Sequence, residues 1–188
     1  MERYFGALTL LLFIGMVLVR VLLLRRAGIK AMHFGKIDKT DFLILPFVLF
    51  YFYVAFAAAF DLPSVSRQEF FQSRMVSGLG VLLCIVGLSL MILSLVSFGK
   101  SFRVGIDTEH PDKLVTTGIF AVSRNPVYVA FGLVLIGQFL LFPNWILLIY
   151  MIAAGWLFHR QVLREEQYLR EHYGAQYGDY CRRVRRYL

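Results

Sequence analysis

Cysteine is scarce in this chain. Only Cys84, inside an apolar run, and Cys181, in a charged tail, occur among 188 residues, and neither has a partner that would support a disulfide framework. The four histidines stand in no His/Cys spacing of a metal site, so no metal is expected. Charge is thin as well: 17% of residues are charged against 59% hydrophobic, which excludes an ordinary soluble domain. The length leaves room for one compact unit. The formal net charge of +8 sits in a few loops and the tail. It forms no basic stripe with interleaved aromatics, so nucleic acid is not an expected partner. No small-residue cleavage pattern follows the first apolar run, which reads as a retained span rather than a signal peptide.

What the chain has is long apolar runs. Residues 4–24 are apolar apart from Arg20, and about 20 residues suffice to cross a hydrocarbon core. Arg20 can snorkel toward the loop that follows. That loop carries Arg25, Arg26, Lys30, Lys36 and Lys39 against Asp38 and Asp41, a basic excess that places it in the cytoplasm and the N-terminus outside. Residues 42–60 form a second span, with Pro46 tolerated near its start. A third covers 75–98, where Gly80, Cys84, Gly87 and Ser94 fall near one face that permits close helix packing. The Gly78-Leu79-Gly80 string inside it reads as packing, not as a phosphate loop. The return to the cytoplasm carries Lys100, Arg103, Lys113 and Arg124.

Residues 127–142 and 145–158 are two shorter apolar runs separated by Pro143-Asn144. As helices each is about 21 to 24 Å long, short of a core of about 30 Å. They are expected to form a helical hairpin that dips into the membrane and returns to the cytoplasmic side. Gln138, inside it, either hydrogen-bonds a neighbouring helix or faces a polar cavity. The expected fold is an all-α integral membrane protein: three transmembrane helices, a short hairpin (five membrane segments) and a cytoplasmic helical tail at 159–188, broken at Gly174.

Polar residues gather where the hairpin begins. In Ser123-Arg124-Asn125-Pro126-Val127-Tyr128 the proline marks a helix start, and a helix N-terminus suits an anion or carboxylate. Glu165 and Glu166, just beyond the second arm, should lie near Arg124. Bland readings exist for each. Arg124 can contact headgroups, Asn125 can be a simple cap, and Glu166 and Arg170 can form an i, i+4 surface pair. Tyr173, Tyr177 and Tyr180 can sit in an interfacial belt.

The ordered set is more specific than its members. Leu114-Val115, Gly118-Ile119-Phe120, Ser123-Arg124-Asn125-Pro126 with Tyr128, Gln138, Asn144-Trp145, Arg164-Glu165-Glu166, Tyr173-Gly174, Tyr177, Tyr180 and Arg186 resemble the isoprenylcysteine carboxyl methyltransferase family. The same half is similar to phosphatidylethanolamine N-methyltransferase. The resemblance covers roughly residue 99 to 188. It implies a membrane methyltransferase that uses S-adenosylmethionine, with a three-span anchor at 1–98 and a catalytic half at 99–188 containing the hairpin 127–158. Cofactor contacts are expected at Leu114, Val115, Gly118, Arg124, Asn125, Tyr128, Gln138, Glu165 and Glu166, and catalytic roles at Arg124 and Glu165. The carboxyl methyltransferases usually have histidine where this chain has Asn125, whereas asparagine occurs in the phospholipid branch.

The implied partners are membrane lipid and a lipophilic or lipid-linked acceptor, isoprenylcysteine-carboxylate-like or phospholipid-amine-like. The acceptor is expected to enter from the bilayer between the third span and the hairpin. The chain is expected to be integral to the membrane, the inner or cell membrane if it is bacterial, with the catalytic half facing the cytoplasm. Two other classes fit less of the pattern: a membrane sterol reductase using NADPH, which shares an R-x-P-x-Y segment, and a non-enzymatic membrane scaffold.

Overall fold

The computed structural model describes residues 2–28, 44–62, 70, 73–99 and 114–188. Among these the chain is helix and connecting turn, with an isolated parallel bridge between Ser123 and Arg185. The α-helices in order are α1 Glu2–Arg26, α2 Ile44–Ala59, α3 Arg74–Phe98, α4 Pro126–Leu141 and α5 Trp145–Arg183, with a 3-10 turn, Gly118–Ala121, ahead of α4. The all-α integral membrane architecture is as expected. The basic residues Lys30, Lys36, Lys39, Lys100, Arg103 and Lys113 lie outside the described residues.

Among the described residues α1, α3 and α5 are long and apolar enough to cross a membrane, while α2 and α4 are shorter apolar helices. The second hairpin arm thus differs from expectation. It does not stop at Phe158 but continues as helix into the charged tail as far as Tyr173, because nothing from His159 to Tyr173 breaks the backbone. The break falls at Gly174, whose φ of 49° and ψ of −120° suit a residue without a Cβ. Beyond it the helix turns back on itself and packs Tyr177, Tyr180 and Val184 against Leu169 and Leu114.

Contacts at the two ends fix the directions of the helices. At one end Arg3 pairs with Asp61 at 2.9 Å, joining the start of α1 to the end of α2. At the other, half-buried Arg20 donates to the Gly99 carbonyl, so a cation meets the unpaired carbonyls at the end of α3. The snorkelling expected of Arg20 is therefore directed at a helix terminus. The hairpin turn Phe142-Pro143-Asn144 is set by Asn144, whose side chain accepts from Leu147 N at 2.9 Å and donates to Phe142 O at 3.1 Å. Its tip reaches the far end of the bundle: Phe70 N donates to Pro143 O at 2.7 Å, and the Phe70 and Trp145 rings meet at 4.4 Å. The hairpin therefore traverses the bundle instead of dipping into it.

Between helices in lipid the solvent is as apolar as leucine, so adhesion comes from close packing and buried polar bonds. The small residues of α3 provide that packing. A Cβ at position 80 would come within 2.8 Å of the Gly137 carbonyl oxygen, and one at position 87 within 3.0 Å of the Ala130 carbonyl oxygen. The α3 and α4 backbones are thus in contact along this face. This corrects the expected route for an acceptor: the close packing that the small-residue face permits closes the seam between the third span and the hairpin.

Gly137→Ala should destabilise the protein by about 1–3 kcal/mol, since the new methyl would meet Cys84 Sγ at 2.7 Å and Gly80 O at 2.8 Å. Gly132→Ala on the same helix meets nothing within 4 Å and should be neutral or stabilising. Thermal unfolding of both variants in detergent measures the difference.

Candidate functional site

The polar residues converge at the end of the bundle where α3 finishes and α4 begins. Gly118, with φ 64°, opens the 3-10 turn so close to α3 that a Cβ would overlap Ser97 Oγ, and Ile119 N donates to that same hydroxyl at 3.2 Å. Phe120 packs edge-on against Phe98 at 4.4 Å, and its carbonyl accepts from Tyr180 OH at 2.6 Å. The next residues pair with the segment beyond α5. Arg124 N donates to Arg185 O at 3.0 Å beside the Ser123–Arg185 bridge. Pro126 then starts α4, where its missing N–H costs nothing.

Asn125 occupies the cap position but its side chain does not cap. Its Nδ2 donates to Glu166 Oε1 at 3.2 Å and to Arg186 O at 3.1 Å. Glu166, only 3% exposed, is enclosed by donors. Oε1 also accepts from Arg124 Nε at 3.2 Å and Nη2 at 2.9 Å, while Oε2 accepts from Arg186 Nε at 3.1 Å and Nη2 at 2.9 Å. Arg124 in turn donates through Nη1 to Cys181 O at 3.3 Å and Val184 O at 3.2 Å. All but one of its N–H groups are thereby engaged within the protein.

Glu165, one residue earlier, faces elsewhere. Its Oε1 accepts from Tyr128 OH at 2.6 Å and from Gln161 Nε2 at 3.0 Å. Among the described residues no hydrogen bond falls on Oε2. The apolar part of α5 ends at Phe158, so both glutamates lie beyond the membrane span. Burial raises the pKa of Glu165 above the usual carboxylate range, against the hydrogen bonds from Tyr128 and Gln161. Burial pushes Glu166 the same way, but the hydrogen bonds from Arg186 and Arg124 outweigh it and hold that carboxyl below the range. Neighbours in sequence are thus tuned in opposite directions.

Of the expected site residues, the structure brings together Arg124, Asn125, Tyr128, Glu165 and Glu166. Gly118 and the half-buried Val115 lie on the approach to the cluster, and Leu114 packs against Tyr177, Tyr180 and Val184. Gln138 does not join them. It stands twelve positions along α4 from Pro126, about 18 Å at the rise of a helix. There it is fully buried and donates through Nε2 to Gly6 O at 2.8 Å, so it serves the contact between α1 and α4. Two bland readings fail here. Glu166 is bound from across the fold and is no surface partner of Arg170, and Tyr177 and Tyr180 are buried among protein side chains instead of forming an interfacial belt.

Sequence reasoning gave no role to Ser123, to the carbonyls of Cys181 and Val184, or to Arg186. The available signal was the apolar spacing Tyr177, Tyr180, Val184 among arginines, which marks a buried face in a stretch that otherwise reads as basic tail.

Comparison with known proteins supports the grouping. The phospholipid methyltransferase family model matches residues 75–176, from α3 to just beyond the Gly174 kink. The chain belongs to the phospholipid methyltransferase family. Among curated relatives it is 31% identical to protein-S-isoprenylcysteine O-methyltransferase B of Arabidopsis thaliana, over 58% of this chain and 57% of that protein. It is 34% identical to the Saccharomyces cerevisiae protein-S-isoprenylcysteine O-methyltransferase, over 60% of this chain and 48% of that protein. The Rattus norvegicus protein of that name is 30% identical over 66% of this chain and 45% of its own length. The chain therefore spans about half the length of these relatives. The matched residues of the family model include Arg124, Asn125, Tyr128, Glu165 and Glu166, but stop short of Arg186.

Replacing Glu166 with glutamine leaves Arg124 and Arg186 without a counter-charge in a buried setting, where breaking such a pair costs about 3–5 kcal/mol. Glu165→Gln keeps an oxygen for Tyr128 and should cost well under half of that. Chemical unfolding of the two variants should separate them in that order.

Proposed function

We propose that the protein is a membrane methyltransferase that takes its methyl group from S-adenosylmethionine and delivers it to a lipophilic acceptor. The observation that carries this reading is the Tyr128–Glu165 pair. It is a half-buried carboxylate with one oxygen held by protein donors and the other without a donor among the described residues, placed just beyond the apolar part of a spanning helix. The names of the relatives point to an isoprenylcysteine-type carboxylate as acceptor, and the name of the family to a phospholipid-type amine.

The residues suit such a donor. A carboxylate with a spare oxygen can accept from ribose hydroxyls or from the ammonium of the methionine part. When bound, the donor supplies an electrophilic methyl group on a sulfonium, so the protein has only to align the acceptor and exclude water. Tyr128 orients Glu165, and Glu166 with Arg124 and Asn125 fixes the start of α4 on which Tyr128 stands. In this reading Arg124 acts chiefly by position, because its N–H groups are largely engaged. A carboxylate acceptor needs no base. An amine acceptor must lose a proton, and Glu165, with its pKa raised by burial, is the group placed to take it. Because the α3–α4 seam is closed, the acceptor chain is proposed to approach from the bilayer on the side of α5.

The site end of the bundle also holds Arg25, Arg26, Arg182, Arg183 and Arg185, whereas the opposite end pairs Arg3 with Asp61. That asymmetry supports a cytoplasmic location for the site. Cysteine labelling should therefore find Lys36→Cys and Arg183→Cys on the same, cytoplasmic face. Labelling from opposite faces would overturn this orientation.

The donor assignment is tested by ligand-induced stabilisation of the purified protein. At a concentration about 100 times its Kd, a ligand specific to the folded state adds roughly 2.7 kcal/mol. S-adenosylhomocysteine should raise the unfolding temperature and NADPH should not; the reverse result would favour a reductase. With S-adenosylmethionine as donor, a long-chain acceptor should be methylated and its short water-soluble analogue should not. Glu165→Gln should abolish turnover of an amine acceptor far more than that of a carboxylate.

A further inference from the structure

The segment that follows α5 is held by the site on every side. Val184 is buried against Tyr177 and Tyr180, and Arg185 O accepts from Arg124 N at 3.0 Å. Arg186 O accepts from Asn125 Nδ2 at 3.1 Å and from Ser123 Oγ at 3.5 Å. Tyr187 OH meets His159 Nδ1 at 2.7 Å, tying the next residue to α5 just past its apolar part. Between these anchors Arg186 presents Nε and Nη2 to a single oxygen of Glu166, a charge-assisted contact from a group that is 34% exposed to one that is 3% exposed.

Glu166 has two oxygens and two guanidinium partners, and each partner comes from a different side of the site. Arg124 and Asn125 take Oε1, so with Arg186 absent Oε2 would be buried without a donor. The carboxylate would then be held through Oε1 alone and would turn about that oxygen to find a donor for Oε2, shifting Arg124 and Asn125 with it. Tyr128 stands on the first turn of α4, directly after Asn125, so any such shift is passed to the Tyr128–Glu165 pair.

We propose that Arg186 is a positioning residue of the methyl-transfer site. By holding Oε2 of Glu166 it fixes Arg124 and Asn125, and through them the start of α4 that carries Tyr128. This rests on the donor reading of the Tyr128–Glu165 pair given above. Arg186 touches no reactant in this scheme. Its effect on donor binding comes entirely through Glu166, and that dependence separates it from a residue that merely adds stability.

The test uses the full chain in detergent and compares Arg186→Met, Arg186→Lys, Arg186→Ala and the double variant Glu166→Gln/Arg186→Ala with the unmodified protein. Calorimetry with S-adenosylhomocysteine and unfolding temperatures without ligand are measured for each. Arg186→Met should weaken ligand binding at least tenfold in protein that remains folded. Arg186→Lys, which keeps the charge but loses the planar fork, should fall between it and the unmodified protein. Methylguanidinium in solution should restore affinity to Arg186→Ala but not to the double variant, whose carboxylate is gone. Unchanged affinity with a lowered unfolding temperature, or rescue of both variants alike, would overturn the proposal while leaving the donor reading intact. Failure of the unmodified protein to bind S-adenosylhomocysteine would instead overturn the donor reading, and this proposal with it.

Discussion

A carboxylate that is 3% exposed stays ionised only if its surroundings replace the water it has lost, and the site end of this protein is built around meeting that demand for Glu166. Arg124 and Asn125 come from the turn before α4, and Arg186 from the segment beyond α5. The turn, α5 and the segment beyond it are three separate parts of the chain. The ion cluster therefore forms only when the hairpin has closed, the Gly174 kink has turned the chain back, and the segment after it has paired with Ser123 and Arg124. The cost of leaving any member unpaired makes these distant steps depend on one another.

The hairpin sets the register on which the cluster depends. α4 is anchored along α3 by contacts that admit no Cβ at Gly80 or Gly137, and to α1 by the Gln138 hydrogen bond to Gly6 O. α5 returns beside it through the Asn144-capped turn, and the aromatic contacts Tyr128–Phe158 at 5.8 Å and Phe131–Phe158 at 5.1 Å hold the two arms level. Sliding α5 by one residue would rotate its side chains by about 100° and carry Glu165 away from Tyr128. Packing in the apolar region thus decides which polar groups meet outside it.

Much of this was legible in the sequence because it depends on local pattern. The apolar runs, the Pro143-Asn144 turn, the helix start at Pro126 and the break at Gly174 each follow from a property of one or a few adjacent residues. The approach of Glu165 and Glu166 to Arg124 followed from the hairpin alone, given its two arms. What was not legible needed a partner distant in sequence. Gln138 left two readings open until Gly6 was found opposite it, and the glycines of α3 did not reveal whether they close a seam or border a gap. Arg186 belonged to the motif set, but no partner could be read for it, because only the turn at Gly174 and the burial of Tyr177, Tyr180 and Val184 bring it to Glu166.

The adjacent glutamates show how one helix serves two demands. Successive residues on an α-helix point about 100° apart, so Glu165 and Glu166 cannot address the same partners. One looks to the two arginines and is consumed by them; the other looks to Tyr128 and keeps an oxygen to spare among the described residues. Two carboxylates facing one pocket would repel each other and raise one another's pKa. Turned apart, Glu166 is held ionised by the cations it binds, while Glu165 is poised by burial. The fixed charge of the first keeps the backbone beneath the second in place. A carboxylate with an oxygen to spare can therefore stand just beyond the apolar part of α5 without itself having to hold the fold together.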